Sequence, residues 1–379
     1  MSASLSPAHG PSRRLPAGLA RLLLAMLAAL PTLCAVAATF VLFGAFLLVQ
    51  GQPAIEAIGL IGKGAFGSSF AWQNTLLRAA PLMLTALCVA LPAQVGLIVI
   101  GGEGALALGG LAAAVVPQCL PHGTPWLIAT PLMAIAGMIA GGLWIGAVGA
   151  MRQWRGVNET ISSLLLTYIA IALFNHFVEG PLRDPASLNK PSTEPIGEAV
   201  MVGHLPGMDV HWGLAYGLVF CAVCYVLVRY TVFGFALRIV GGNVRAARLA
   251  GLRVGWLVLM SCALGGAAAG LAGMVEVAAV HGSANASLIA GYGYAGILVS
   301  FIARHNPIAV IPVAMLVGGI GASNGLLQRR LDLPDATVLV LQGIAFMVIL
   351  AAETLYGRMR LVPAARRATM KGGGRRPWN

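Results

Sequence analysis

The chain alternates between long apolar runs and short polar connections. A helix of about 20 mostly apolar residues spans a bilayer, and runs near that length recur along the sequence. The pattern therefore predicts an all-α polytopic membrane protein with about ten transmembrane helices. The predicted spans cover residues 22–49, 74–91, 93–116, 126–150, 160–178, 212–228, 256–280, 294–302, 307–321 and 334–352. Around Pro92 and around Arg304 the pattern is also compatible with one membrane crossing more or fewer.

The two ends of the chain are polar and basic. We expect a transmembrane domain over residues 22–355, between basic tails at 1–21 and 356–379. Most lysines and arginines lie in these tails and in alternate connections, so the positive-inside rule predicts that both ends are cytoplasmic. Acidic residues gather in the connection at 179–211, which we expect on the outer side.

One connection, residues 234–255, carries four arginines and no acid, which predicts a cytoplasmic position. Asn243 is placed to cap a short helix over 244–250, and Gly251 to end it. Small residues on such a helix would let another protein's backbone come close. We predict that this helix is a docking element for another protein, with an ordinary basic loop as the alternative. Its residues are Arg238, Gly242, Asn243, Arg245, Ala246, Ala247, Arg248 and Gly251.

The composition supports a protein that lies in a bilayer. Hydrophobic residues make up 58% of the chain and charged residues 9%, whereas a soluble domain carries about 25% charged residues. The formal net charge of +12 would suit a nucleic-acid partner. The basic residues lie at the ends and in short loops, however, so we expect membrane lipid and no nucleic acid around this chain.

The sequence lacks the motifs of an enzyme or a metal site. Cys221-x-x-Cys224 lies in an apolar run without the βαβ context of a redox motif. The stretch from Gly59 to Gly64 lacks the spacing and the hydroxyl residue of a nucleotide-binding loop. We expect no cofactor on this chain, so the energy for any transport would come from ATP and Mg²⁺ on another chain or from an ion gradient.

Two acids, Glu103 and Glu276, stand inside apolar runs. A carboxylate within a membrane helix costs about 2.5 to 3.5 kcal/mol on insertion scales, so such groups often mark a pathway. We predict that a translocation pathway involves Glu103, Asn158, Glu159, Tyr168 and Glu276. The alternatives are a structural carboxylate at Glu103 and at Glu276, a helix cap at Asn158 and Glu159, and packing at Tyr168.

Three stretches, in order along residues 75–352, resemble the permease subunits of bacterial ABC importers for nucleosides and simple sugars. The first runs from Phe235 to Gly251 and is similar to the family's cytoplasmic signature. The second runs from Val157 to Tyr168 and is followed by a similar stretch at 180–185. The third runs from Gly291 to Pro307.

This resemblance implies a type II ABC importer-like fold and a chain that forms half of a pore in the bacterial inner membrane. It also implies three partners. They are a cytoplasmic ABC ATPase that docks on the connection at 234–255, a second related permease that forms a heterodimer with this chain, and a periplasmic or lipid-anchored substrate-binding protein. Arg245 stands where the docking loop of ABC permeases carries glutamate, and Val99, Ala105 and Thr167 stand where this family has amides. The resemblance therefore does not identify the transported molecule.

An ion-coupled secondary transporter of a small polar solute is the alternative from another class. Only Glu103 and Glu276 are candidates for acids at mid-membrane depth, and the two halves do not repeat a pair of broken helices with polar centres. A membrane-embedded enzyme would need clustered histidines or acids, and the seven histidines are scattered.

Overall fold

The computed structural model describes residues 34–121, 124–187 and 189–352. The tails predicted at 1–21 and 356–379 lie outside these ranges. The described residues form helices α1 (Cys34–Val49), α2 (Ala54–Phe66), α3 (Ser69–Ala93), α4 (Gly102–Cys119), α5 (Trp126–Arg155), α6 (Glu159–Glu179), α7 (Gly213–Tyr230), α8 (Val232–Gly242), α9 (Val244–Leu249), α10 (Val254–Glu276), α11 (Tyr292–Ile302), α12 (Pro307–Ala322), α13 (Asn324–Leu331) and α14 (Ala336–Ala352).

Six helical segments in the described part of the chain are long and apolar enough to cross a membrane. Shorter apolar helices, α1, α8 and α14 among them, accompany these six. The prediction of an all-helical polytopic membrane protein is therefore confirmed. The six segments are α3, α5, α6, α7, α10 with its continuation to His281, and α12 together with α13.

Helices α3 and α10 form the centre of the bundle, because most of their residues are buried whereas α6 and α7 are largely exposed. Helix α10 packs against α5 through glycines: a Cβ atom on Gly266 would collide with the carbonyl oxygen of Gly141, and one on Gly270 with that of Gly137. Gly273 touches α4 in the same way, at Leu106. Glycines at this spacing allow the backbones of neighbouring membrane helices to approach closely.

The third predicted span, 93–116, begins too early, because the helix at this position starts only at Gly102. Helix α3 continues through Pro92 to Ala93, and the chain then runs without regular structure until α4 begins at Gly102. Along this segment Val95, Leu97 and Val99 are buried while the residues between them are more exposed, an alternation typical of extended backbone. The apolar composition of 93–101 cannot distinguish an extended segment from a helix.

Helices α2 and α8 are among those that fall where the sequence pattern predicts connections. Helix α2 lies between the first two predicted spans, and it buries Ala57 and Ile61. Helix α8 occupies the first half of the connection at 234–255, where Thr231 caps it by accepting a hydrogen bond from the backbone N–H of Gly234. Both helices contain Gly and charged residues, which weaken the sequence signal for a helix.

Candidate functional site

A carboxylate on α4 caps the amino end of α11. The Oε1 atom of Glu103 accepts a hydrogen bond of 2.7 Å from the backbone N–H of Gly291, and its Oε2 atom accepts one from Gly293. The side chain of Glu103 is fully buried, and the N–H groups of a helix's first turn have no partner within the helix. The carboxylate also complements the positive end of the α11 dipole. We call this arrangement the Glu103 clamp.

The two glycines of the clamp are required by its geometry. Gly291 has a φ of 82°, a left-handed conformation that favours glycine. A Cβ atom on Gly293 would collide with the backbone nitrogen of Glu103. Gly293 therefore allows the two backbones to approach closely, and Gly291 allows the left-handed turn that precedes α11.

The extended segment before α4, residues 97–100, is held by hydroxyl groups of α6. The Oγ1 atom of Thr160 donates a 2.9 Å hydrogen bond to the carbonyl oxygen of Ile98, and the backbone N–H of Ile100 donates a 3.0 Å bond to Oγ of Ser163. Non-helical backbone at membrane depth persists only where protein or water satisfies its polar groups. These two hydroxyls therefore position the start of α4 and, with it, Glu103.

A cavity of about 610 Å³ lies beside the clamp, and we call it the central cavity. Its size falls in the range of about 300 to 1,000 Å³ that is usual for small-molecule sites. Its walls come from α4, α11, α14 and the segment before α11, and they are mainly apolar, with a few polar groups from Glu103, Tyr294 and Gln342.

Asn158 and Glu159 lie at the start of α6, where they organise that helix. The Oδ1 atom of Asn158 accepts hydrogen bonds from the backbone N–H groups of Thr160 and Ile161, at 2.9 and 3.2 Å. Glu159 forms an ion pair of 3.3 Å with Arg152 at the end of α5. Neither residue lines the central cavity, so their connection to it runs through Thr160 and Ser163 on the same helix.

Tyr168 and Glu276 lie in contrasting surroundings. The ring of Tyr168 is 61% exposed on α6, whereas Glu276, at the end of α10, is 3% exposed. The Nδ1 atom of His281 lies 3.1 Å from the backbone oxygen of Glu276 and 3.8 Å from its carboxylate. Glu276 also interacts electrostatically with Arg78 on α3. The structure therefore brings Glu103 to the central cavity and leaves Asn158, Glu159, Tyr168 and Glu276 outside its lining.

The short helix predicted at 244–250 is confirmed as α9. Asn243 caps it: its Oδ1 atom accepts hydrogen bonds from the backbone N–H groups of Arg245 and Ala246, at 2.9 and 3.1 Å. Gly251, with a φ of 77°, ends it as predicted. The N–H of Leu252 bonds to the carbonyl of Ala247, and that of Gly251 to the carbonyl of Arg248, which is the Schellman arrangement.

We call residues 243–251 the docking segment. Ala247 is fully buried and fastens the segment to the bundle, while Leu249 is 91% exposed. The other predicted docking residues are exposed, and among them Arg238 turns back to donate a 2.6 Å hydrogen bond to the carbonyl of Val228, at the end of α7. The docking segment therefore presents one exposed apolar side chain, Leu249, between exposed basic and small residues.

The docking segment is joined to the end of α3 through α8. A Cβ atom on Gly241 would collide with the carbonyl oxygen of Gln94, so these backbones touch. The side-chain amide of Gln94 in turn donates a 3.1 Å hydrogen bond to the carbonyl of His305, between α11 and α12. Contacts thus lead without a break from α8 to the turn that follows α11.

A second cavity, of about 240 Å³, adjoins the central cavity, and we call it the polar cavity. The two cavities share Gly291 and Gln342 among their lining residues, and Arg78, Asn324 and Asp335 add polar groups to the second. The sequence analysis missed these residues. Arg78 carries a signal that could have identified it, since it is a charge inside the predicted span at 74–91. Asn324 lies in a predicted connection and Asp335 at the first turn of the predicted span at 334–352, where polar residues are ordinary, so neither carries such a signal.

Comparisons with known proteins agree with this architecture. Residues 71–350 match the family model described as the permease component of branched-chain amino acid transport systems. The chain is 30% identical to a glucose ABC transporter permease of Haloferax volcanii, over 82% of this chain and 84% of the relative. It is also 30% identical to a guanosine ABC transporter permease of Bacillus subtilis, over 73% and 81% of the two chains. A nucleoside ABC transporter permease of Lactococcus lactis is 24% identical, over 90% and 96%.

The family match spans most of the chain and includes α3 to α14 almost entirely. It therefore contains the Glu103 clamp, both cavities and the docking segment. Together with the relatives it makes this protein a transport subunit of an ABC transporter and not an enzyme. The chain belongs to the family of permease components of branched-chain amino acid transport systems.

Proposed function

We propose that this chain forms one half of the membrane pore of an ATP-driven importer for a nucleoside or a simple sugar. The observation that carries the proposal is the central cavity, a mainly apolar space of small-molecule size next to a half-length helix that a buried carboxylate caps. The similarity to permeases named for glucose, guanosine and nucleosides supports this substrate class. These solutes share an uncharged, hydroxylated ring, which needs few fixed charges along its path.

We propose ten crossings with both ends in the cytoplasm of a bacterium, in its inner membrane. The six long segments together with α1, α4, α11 and α14 would supply these crossings. The arginine-rich docking segment and the acid-rich connection at 179–211 would then lie on opposite sides, as the positive-inside rule requires.

The docking segment would receive a cytoplasmic ABC ATPase. Leu249 offers an apolar anchor, and Arg245 and Arg248 beside it offer positive charge for acids on that partner. Helix α8 touches Gln94, and Gln94 is hydrogen-bonded to the turn after α11. A displacement of α9 would therefore be transmitted to the inner ends of α3 and α11. ATP and Mg²⁺ would be bound by the ATPase.

The translocation pathway would run through the central cavity. Glu103 would keep the amino end of α11 in place, with Asn158 and Glu159 fixing the α6 residues that support it. We assign Tyr168, which is exposed on α6, to the edge of the pathway. Glu276 would hold the outer end of α10 beside Arg78.

A second, related permease and an external substrate-binding protein would complete the assembly. One permease would form one side of the pathway, and the second permease of a heterodimer would form the other side. Selectivity would then rest partly on the binding protein, in keeping with the few polar groups in the central cavity.

The test is uptake by proteoliposomes that contain both permeases and the ATPase, supplied with binding protein and labelled guanosine or glucose. We expect uptake that requires internal ATP, stops with vanadate and is unchanged by ionophores. Uptake that ionophores abolish and vanadate spares would instead support the ion-coupled alternative.

The docking assignment has its own test. Gly251→Trp would place a bulky residue where φ is 77°, which a residue with a side chain adopts at a cost of about 1 kcal/mol or more. We expect transport to be lost while the protein still inserts and the binding protein still binds substrate. Normal uptake by this variant would contradict the docking assignment.

A further inference from the structure

The polar cavity contains more hydrogen-bonding capacity than its walls use. Among the described residues, the guanidinium of Arg78 donates no hydrogen bond and forms no ion pair within 4.0 Å. The Oδ1 atom of Asn324 is buried and lacks a partner in the same part of the chain. Leaving such a buried acceptor without a hydrogen bond is unfavourable, because its contact with water is lost and nothing replaces it. Buried groups left in this state usually await a ligand or water.

The remaining groups are fixed in position. The Nδ2 atom of Asn324 donates a 2.8 Å hydrogen bond to Oδ1 of Asp335, which holds both side chains at the edge of the cavity. Gln342, on α14, borders both cavities. The polar cavity therefore presents a guanidinium donor, a free amide oxygen, a carboxylate and an amide within one small space.

The charge balance of this set restricts its ligand. One cation, Arg78, and one anion, Asp335, line the cavity. An anionic solute would approach the carboxylate and a cationic solute the guanidinium, so each would meet one repulsive contact. A hydroxyl group both donates and accepts, and neighbouring hydroxyls on one ring can use the donor and the acceptors together.

We propose that the polar cavity recognises the hydroxyl groups of an uncharged polyhydroxylated ring, such as a sugar or the ribose of a nucleoside. The hydroxyls would donate to Oδ1 of Asn324 and to Asp335, and they would accept from Arg78. The central cavity, which shares Gly291 and Gln342 with it, would take the less polar part of the solute. This inference rests on the proposed function, and it adds which side chains of the permease would recognise the substrate.

The test uses the complete complex in proteoliposomes, with binding protein already saturated with labelled glucose or guanosine. The variants are Asn324→Leu and Arg78→Met. Gln328→Leu and Arg329→Met are matched controls, because both residues are exposed on α13 and neither lines the polar cavity. We expect the two cavity variants to lower uptake about tenfold or more, since each removes a bond to a charged or buried group. The controls should transport normally.

Two further readouts separate recognition from folding. Co-purification of the ATPase and the unfolding temperature of the permease should match the wild type in every variant, because the docking segment and the helix contacts are unchanged. Deoxyglucose and deoxyguanosine, supplied on saturated binding protein, should be transported more slowly than the parent compounds by the wild type. Asn324→Leu should lose this discrimination.

The outcomes are distinguishable. If the wild type shows no ATP-dependent uptake of either solute, the proposed function fails and the inference with it. If the wild type transports while both cavity variants keep normal uptake, or keep full discrimination against deoxy compounds, the inference alone is overturned. A parallel loss of uptake and of ATPase co-purification, with a lower unfolding temperature, in both cavity variants would show a structural role and would also overturn it.

Discussion

Glu103 on α4 and Gly293 on α11 are 190 positions apart in sequence, yet a carboxylate oxygen of the first accepts the backbone N–H of the second. The same carboxylate accepts the N–H of Gly291. The carboxylate within the membrane thereby obtains hydrogen-bond donors, and the unpaired N–H groups at the start of α11 obtain an acceptor.

We expect Glu103→Ala to destabilise the protein by about 1 to 3 kcal/mol, because two buried N–H groups would lose their acceptor. Glu103→Gln keeps one acceptor but turns an amide NH₂ toward the other N–H, so its effect should be intermediate. Thermal unfolding in detergent, together with uptake, measures both effects. Glu56→Ala, at an exposed acid on α2, is the control and should match the wild type. Equal stability of Glu103→Ala and Glu56→Ala would rule out the clamp.

Gly270→Ala tests the glycine contacts of α10. The added Cβ would meet the backbone of Gly137, which cannot rotate away as a side chain can. Overpacking of this kind costs about 1 to 3 kcal/mol, so we expect lower yield of folded protein and a lower unfolding temperature. Gly62→Ala on α2 is the matched control, since nothing lies within 4 Å of a Cβ there. The control should be neutral or slightly stabilising, and a similar loss in both variants would argue against tight packing.

Leu249→Asp tests the docking segment at its most exposed apolar side chain. The residue is 91% exposed, so the change should leave the fold intact while adding an acid to a surface that we expect to meet a partner. Co-purification of the ATPase should fall strongly, at an unchanged unfolding temperature of the permease. Ile55→Asp is the control, because Ile55 is 90% exposed on α2, far from α9 along the chain. Retention of the ATPase by Leu249→Asp would contradict the proposed contact.

His211 predicts a pH dependence of stability. It is 1% exposed, and burial, with His204 nearby, lowers the pKa of its imidazole to about 4. The unfolded chain, with a pKa of about 6.5, binds more protons than the folded chain between these values. Stability should therefore fall as the pH drops from about 6.5 toward about 4.

Unfolding temperatures across this pH window measure the effect. His211→Gln should weaken the dependence, whereas His176→Gln, at an exposed histidine on α6, should preserve it. An identical pH profile for His211→Gln and the wild type would assign the dependence to other groups.

Ser163→Ala tests the support of the extended segment before α4. The change removes the acceptor for the backbone N–H of Ile100. We expect a loss of about 1 kcal/mol in stability, with a larger relative loss of uptake, because the start of α4 carries Glu103. Ser162→Ala is the neighbouring control, since the Ser162 hydroxyl bonds only within its own helix. Uptake unaffected by Ser163→Ala would show that this hydrogen bond does not position the pathway.

The sequence by itself determined the features that depend on local composition. Apolar runs indicated the membrane class and most of the helices, and Asn243 and Gly251 indicated both ends of α9, since caps are formed within a few residues. Only the tertiary structure decided what these elements meet: that Glu103 caps α11, that residues 94–101 are not helical, and that Arg78 and Asn324 border one cavity. Such relationships join residues far apart in the chain, and their free energy depends on which buried polar groups become neighbours, which no local pattern encodes.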